Sequence, residues 1–293
     1  MKKIIVIGSI SIDNVVYTNV LPHPGMTVYG ESFLSNIGGK GANQACAIHF
    51  LNGDVIFYGS IGKDDNGQRV EKFLKEAGLT ANLKKSSQNT GIASITIDNK
   101  TAENRIVIVP GSNMDINKSD IDKIDFTKFD ILLLQLENPV DTVCYAMKKA
   151  KENGLLVVLN PAPYHEVPSD AFPYIDFFIP NEHELDQFTL DIKGNELEKA
   201  QYLLKQGIKR VIVTLGEKGS LYVDEKEHFL VKPHKVNAID TTGAGDSFCG
   251  AFVTALSEGK NTKEAMEFAS KASSITVTRK GAIASLPKRD EIK

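Results

Sequence analysis

Long apolar runs are missing from this chain of 293 residues. The longest, such as residues 131–134 and 155–159, fall far short of the ~20 residues a helix needs to cross a bilayer, so no membrane span is expected. Residues 4–7 follow Met1-Lys2-Lys3 and end at Gly8, too short an apolar core for a secretory leader. Cysteine is scarce: Cys46, Cys144 and Cys249 are odd in number, widely spaced and without a Cys-x-x-Cys pair. Their helix-like apolar surroundings predict reduced, buried thiols in a cytoplasmic protein rather than a disulfide framework. A basic surplus is also missing. Thirty-seven acidic against thirty-four basic residues leave a formal charge of −3, which excludes the basic footprint of a dedicated nucleic-acid binder. Six histidines show no zinc-ligand spacing, and no Gly-x-Ser-x-Gly elbow occurs, so zinc and serine hydrolases are disfavoured. No repeat of 20–50 residues and no low-complexity tract is found.

What is present is an ordinary globular composition, 42% hydrophobic and 24% charged, enough apolar surface to offset the ordering of a folded chain. At ~150 residues per domain, the length allows one large domain or two smaller ones. Short β-branched runs at 3–7, 54–58, 131–136, 155–159, 177–179 and 210–214 read as strands. Amphipathic segments at 42–51, 68–77, 142–153, 196–206 and 262–274 read as helices between them. Continuous apolar strands are those of a sheet covered on both faces, so an α/β fold with a mostly parallel sheet is predicted. The alternation breaks twice. Segments 14–20 with 27–33, and 91–98 with 104–109, pair strand-like runs without a helix between them. They read either as a small β lid, formed by about 14–36 and 90–110 and inserted into one α/β body, or as edge strands of the main sheet.

The most informative stretch is Asp240-Thr241-Thr242-Gly243-Ala244-Gly245-Asp246, followed by an apolar helical run to about residue 256. Glycines let backbone N–H groups approach a ligand, and a helix start adds partial positive charge, so this is a phosphate-binding arrangement. Asp246 is either the cap of that helix or a general base beside the phosphate cradle, and spacing does not decide between them. The second glycine cluster is Gly38-Gly39-Lys40-Gly41-Ala42-Asn43-Gln44, at the start of another helix. It is not a Walker A loop, and no Gly-x-Gly-x-x-Gly follows the first strand, which argues against a dinucleotide site and hydride transfer. Asp13, Glu137, Asn160 and the pair Asn181 and Glu184 follow predicted strands, and open α/β sheets bind ligands beyond their carboxyl ends. Thr214-Leu215-Gly216-Glu217-Lys218-Gly219 reads locally as a hairpin turn.

Taken in order, these stretches resemble the ribokinase-like (phosphofructokinase-B) family of sugar kinases over nearly the whole chain. The likeness also takes in Leu134-Gln135-Leu136-Glu137, Asn160-Pro161-Ala162-Pro163, Pro180-Asn181-Glu182-His183-Glu184 and Val277-Thr278-Arg279-Lys280-Gly281-Ala282. The resemblance implies a doubly wound α/β body with a β lid that forms a homodimer interface in many members. It implies ATP-dependent phosphorylation of a sugar's primary hydroxyl, with D-ribose giving D-ribose 5-phosphate as the expected reaction. By the same likeness Asp246 takes the hydroxyl proton, and the amides of Gly243, Ala244 and Gly245 stabilise the transferring phosphoryl group. Ser11, Asp13, Gly38, Gly39, Lys40, Asn43 and Glu137, with Asp246, would hold the sugar. Asn181, Thr214, Leu215, Gly216, Glu217, Lys218, Gly219, Gly245 and Ser270 would lie along the nucleotide. Glu184 would organise Mg²⁺ through water, and Asp240, Thr242, Thr276, Arg279, Gly281 and Ser285 would hold an activating K⁺. Arg279 can serve that cation only through its carbonyl, because its side chain is cationic.

One departure bears on the acceptor. Where the family usually has Asn-x-Asp after the first strand, this chain has Ser11-Ile12-Asp13. A single short hydroxyl thus stands where an amide would reach a sugar oxygen, and another furanose, a ketohexose or a nucleoside is the alternative acceptor. A sugar- or nucleotide-binding protein without catalysis is the alternative of a different class.

Overall fold

The computed structural model describes residues 1–101 and 103–292. Residue 102, inside the second expected lid segment, and residue 293 lie outside the described residues. The chain runs β1 (Ile4–Ile7), β2 (Ser11–Thr18), β3 (Gly30–Gly38), α1 (Lys40–Phe50), β4 (Val55–Gly62), α2 (Asp65–Ala77) and β5 (Ala81–Ser86). Next come β6 (Gly91–Asp98), β7 (Asn104–Val109), α3 (Lys118–Ile121), β8 (Ile131–Leu134), α4 (Val140–Glu152), β9 (Leu156–Leu159) and β10 (Phe177–Phe178). The last third is α5 (Glu182–Phe188), α6 (Glu196–Lys205), β11 (Val211–Thr214), β12 (Ser220–Val223), β13 (His228–Val231), α7 (Ala244–Ser257) and α8 (Thr262–Thr276).

Nine strands form one sheet in the order β13-β12-β11-β10-β9-β8-β1-β4-β5. Its pairs are parallel except β11 with β12 and β12 with β13. The central strands are apolar at every position because helices cover both faces. Along β1, Ile4 and Val6 enter one core with residues of α1, α2, α7 and α8, while Ile5 and Ile7 enter the other with residues of α4, α5 and α6. This alternation is the period-2 geometry of a strand read between two apolar layers. Strand order grows outward from β1 in both directions, so a crevice opens at the carboxyl ends of β1 and β8, where the chain switches direction. No helix among the described residues is long and apolar enough to cross a membrane.

The four remaining strands form a separate sheet in the order β3-β2-β6-β7, so they are not edge strands of the main sheet. Asp13 follows β1, as expected, but it lies within a strand that starts before the expected segment 14–20. β2 begins at Ser11, which pairs with Gly38 on β3 and Gly91 on β6, so Ser11 and Asp13 are carried on this small sheet. Local patterning underestimates β2 because ladder pairing on both sides, rather than an apolar run, extends it. Side chains alternate across the sheet, and cross-strand partners share a face. Asp13 therefore stands beside Ala93 and Ile108, on the face opposite Phe33, Val16 and Val107.

Candidate active site

The crevice is built first from β1, β8 and the start of α1. Glu137, just beyond β8, accepts a short hydrogen bond from the Ser9 hydroxyl and a 3.0 Å bond from the Lys40 backbone N–H. Asp13 reaches the same space from β2. Ser11 Oγ donates to Asp13 Oδ1 at 2.9 Å, and Gly38 gives the carboxylate its room: a Cβ there would lie 2.0 Å from Asp13 Oδ2. Burial pushes the Asp13 carboxyl above the usual range; the Ser11 bond opposes this, and the carboxylates of Glu137 and Asp246 add to it.

Asp246 lies in the first turn of α7, but it does not cap the helix. Gly243 holds the cap position in a left-handed conformation with φ 75°, and no side chain caps that terminus. The Asp246 carboxylate instead accepts one amide bond on each oxygen, 2.8 Å from Asn43 Nδ2 and 2.9 Å from Gln44 Nε2. Both donors are buried on α1, and Asp246 itself is only 7% exposed. Asn43 Oδ1 is buried without a partner among the described residues.

Two cavities meet at this point. The larger, about 550 Å³, is lined by Ser11, Asp13, Asn43, Glu137 and the apolar face of the small sheet at Ala93, Ile95, Ile106 and Ile108. A second of about 190 Å³ is lined by Asn160, Asn181, Glu184, Thr214, Gly245 and Cys249. Lys40, Gly243 and Asp246 border both. Burial pulls the Lys40 ammonium toward neutrality, but the carboxylates of Asp246, Glu137 and Glu184 outweigh it and hold the group above its ordinary range. The N–H groups of Gly243 and Gly245 have no acceptor among the described residues, whereas that of Ala244 donates to the Thr241 carbonyl at 3.2 Å. A Cβ on Gly245 would meet nothing within 4 Å, so the helix start faces open space. This is an anion cradle of backbone amides at a helix N-terminus, with a cation and a carboxylate beside it.

At the far side of the smaller cavity, Asn181 and Glu184 form a reciprocal capping box at the start of α5, each side chain accepting the other's backbone N–H at 2.8 Å. One Glu184 oxygen remains outside the box. Burial raises the Glu184 carboxyl, the Asn181 N–H and Lys40 oppose that, and Asp246 adds to it. Of the other residues assigned to a nucleotide, only Thr214 and Gly245 line this cavity. Leu215 is packed into the core, and Gly216, Glu217, Lys218 and Gly219 form a short turn beyond β11 in which Lys218 pairs with Glu182 at 3.0 Å. Ser270 is buried on α8 and lines neither cavity.

Of the six residues assigned to a cation, Asp240, Thr242 and Gly281 are linked directly, the loop before α7 meeting the segment after α8. Asp240 accepts from the N–H groups of Thr242 at 2.9 Å and Gly281 at 2.8 Å, and the backbone of Asp240 donates to Val277 at 3.2 Å. Burial raises the Asp240 carboxyl, and the Gly281 and Thr242 bonds more than offset it, leaving it below the usual range. The Thr276 hydroxyl donates to Ser247 Oγ at 2.8 Å, the Ser285 hydroxyl to the Ala282 carbonyl at 2.7 Å, and the Arg279 guanidinium pairs outward with Glu291. What these residues leave for a cation is oxygen donors only.

Sequence reasoning missed Ser9, Gln44 and Gln135 as parts of the site. A signal for Gln44 was present. Asn43-Gln44 interrupts a helical run of Ala42, Ala45, Cys46, Ala47 and Ile48, and polar groups buried in such a run need partners.

A lidded, partly apolar cavity joined to an amide cradle through one carboxylate is the layout of an enzyme that moves a phosphoryl group onto a small acceptor. The profile of the pfkB family of carbohydrate kinases matches residues 1–289, and the chain belongs to that family. It is 38% identical to the ribokinase of Haemophilus influenzae, over 99% of this chain and 97% of that protein. Its structure is similar to that of the ribokinase from Thermotoga maritima, with a TM-score of 0.92 and 38% identity over 100% of this chain and 98% of that one. It is also similar to the Arabidopsis thaliana ribokinase complexed with ribose and ATP, with a TM-score of 0.90 and 31% identity over 99% and 97% of the two chains.

Proposed function

We propose that this carbohydrate kinase transfers the γ-phosphoryl group of ATP to the primary hydroxyl of D-ribose, giving D-ribose 5-phosphate and ADP. The observation that carries the reading is the shared wall of the two cavities, where Lys40, Gly243 and Asp246 face both an acceptor space and an amide cradle. The ribokinase relatives support ribose as the acceptor and ATP as the donor.

In this reading the sugar lies in the larger cavity against Ser11, Asp13, Gly38, Gly39, Asn43 and Glu137. Asn43 Oδ1 accepts a sugar hydroxyl, which removes its unpaired state. Asp246 takes the proton from the attacking hydroxyl as the O–P bond forms and the bond to the ADP oxygen breaks. Charge building on the transferring group meets the Gly243 and Gly245 amides and the Lys40 ammonium; such fixed donors supply the larger share of catalysis in phosphoryl transfer. The nucleotide extends past Asn181, Glu184 and Thr214 toward the 215–219 turn and Ser270. The small sheet acts as a lid that keeps water from the transferring group.

Glu184 suits Mg²⁺ carried on a nucleotide, because such an ion needs only one or two carboxylates and keeps several waters; one of its oxygens is free of the capping box. When bound, Mg²⁺ neutralises phosphate charge. Asp240 with the carbonyls of Thr242, Thr276, Arg279 and Gly281 and the Ser285 oxygen is an oxygen-only set with one anion, which suits K⁺. Its place next to Gly243 supports a role in holding the cradle's shape. Three free cysteines, two of them buried, and no Cys-x-x-Cys pair support a cytoplasmic setting.

ADP release measured across ribose, 2-deoxyribose, fructose and nucleosides, in K⁺ and then in Na⁺, tests the assignment. Ribose is expected to give the highest kcat/KM, with K⁺ faster than Na⁺. A nucleoside ahead of ribose overturns the acceptor, and no acceptor-dependent ADP favours a binding protein.

The outer face of the small sheet supports a homodimer. Phe33 is 60% and Val107 64% exposed there, beside Val16. Sedimentation velocity is expected to show a dimer that Phe33→Asp or Val107→Asp converts to monomer. A wild-type monomer with full activity contradicts the interface.

A further inference from the structure

Gln44 is fully buried and lines neither the acceptor nor the nucleotide cavity. Its amide nitrogen donates to Asp246 Oδ1 at 2.9 Å and to Asn160 Oδ1 at 3.0 Å. Its amide oxygen accepts from Gln135 Nε2 at 2.6 Å. Asn160 in turn donates to the Ile179 carbonyl at 2.8 Å. The ends of this chain fix the direction of every link. An ionised carboxylate and a backbone carbonyl can only accept, so Gln44 must present its nitrogen to Asp246, Asn160 must present its nitrogen to Ile179, and the Gln44 oxygen is left for Gln135.

The relay therefore permits one arrangement. It joins α1, the end of β8 (Gln135), the end of β9 (Asn160) and α7 at a single carboxylate. We infer that Gln44 is the positioning residue of Asp246, held in place by Gln135 and Asn160: it holds Oδ1 from the buried side, while Asn43, which lines the acceptor cavity, holds Oδ2. This rests on Asp246 being the base. Gln44 touches no reacting atom; it acts by fixing where the Asp246 carboxylate stands. Amides suit the task because none of them can itself take up the proton.

Loss of the Gln44 donor leaves Asp246 Oδ1 without the amide that fixes it. The other charged or titratable groups around Asp246 stay in place: Lys40 on α1, Asp13 on β2, Glu137 after β8, Glu184 on α5 and Cys249 on α7. In Gln44→Met, a substitution of similar length and good helix propensity, kcat is expected to fall on the order of 10- to 100-fold, the cost of small misplacement, with the sugar KM little changed. Gln135→Met should lower kcat in the same way by less, and it decides the matter if Gln44→Met does not fold. In an Asp246→Asn background, Gln44→Met should cost much less than it does alone, because the group it positions is gone.

The result that overturns the inference is an impaired Asp246→Asn together with Gln44→Met and Gln135→Met that keep wild-type kcat. A kcat loss in Gln44→Met that is fully additive with Asp246→Asn, or that comes with an equally large rise in the sugar KM, also overturns it, since packing alone then explains the loss. A fully active Asp246→Asn instead removes the base on which the inference rests.

Discussion

Asp246→Asn is expected to lower kcat by ~10²- to 10⁴-fold, the range that general-base catalysis supplies, while nucleotide affinity changes little. The substitution keeps size and shape but replaces an acceptor-only group with an amide. One of the new amide's ends must then face a donor, either Asn43 Nδ2 or Gln44 Nε2, where both wild-type oxygens accept. Leaving a buried donor without its acceptor costs about 1–3 kcal/mol, so a lowered melting temperature is expected alongside the lost turnover. Stability and rate separate in a binding measurement. If the variant still binds an ATP analogue as the wild type does, misfolding is not the cause. Residual activity should remain well above the uncatalysed reaction, because the Gly243 and Gly245 amides and Lys40 are untouched. Near-normal turnover would reduce Asp246 to a buried helix residue with a structural task.

Lys40→Met is the second large effect expected. The ammonium borders both cavities, and three carboxylates hold it charged against burial. Removing it takes positive charge from the place where the phosphoryl group crosses. It also leaves Asp246, Glu137 and Glu184 facing one another without a counter-charge. Losing one well-placed electrostatic partner of a transition state costs ~10²- to 10³-fold in kcat, and nucleotide binding should weaken as well. Asp13 and Glu184 are already pushed upward by burial, and loss of the Lys40 charge should carry Glu184 further in that direction. Activity in Lys40→Met should therefore recover partly as pH rises, toward the range where that carboxyl ionises. Arginine is not expected to restore the rate, since a planar fork does not replace a compact ammonium in a space shaped around it. A kcat within a few-fold of wild type would show that the charge is not at the transferring group.

The α/β body was legible because β1, β8 and β9 are apolar at every position, which only a sheet covered on both faces requires. The helices were legible from their apolar stripes, and α5 was missed because its seven residues offer too short a period. β2 was misplaced for a different reason. Its first residues, Ser11 and Asp13, are polar and point into a cavity, so pairing with β3 and β6, not hydrophobicity, makes them a strand. In the site, the glycine clusters and strand-end carboxylates were visible as motifs. Whether Asp246 capped a helix was not, since that depends on Asn43 and Gln44 approaching from some 200 residues away. Gln44 was marked only as a polar break in an apolar helical run, and Gln135 carried no pattern of its own. Their meaning comes from partners that only the fold brings within reach.

The lack of a basic surplus constrains the mechanism. A chain with a net charge of −3 has no global field to draw an anionic nucleotide, so local amides and one lysine must hold it. The most direct test of this account is the product of the ribose reaction, read by phosphorus NMR. The account predicts one ADP for each sugar phosphate, with the phosphorus coupled to the C5 methylene protons. Phosphorus coupled to another carbon's protons, or ADP formed equally well without sugar, would contradict it.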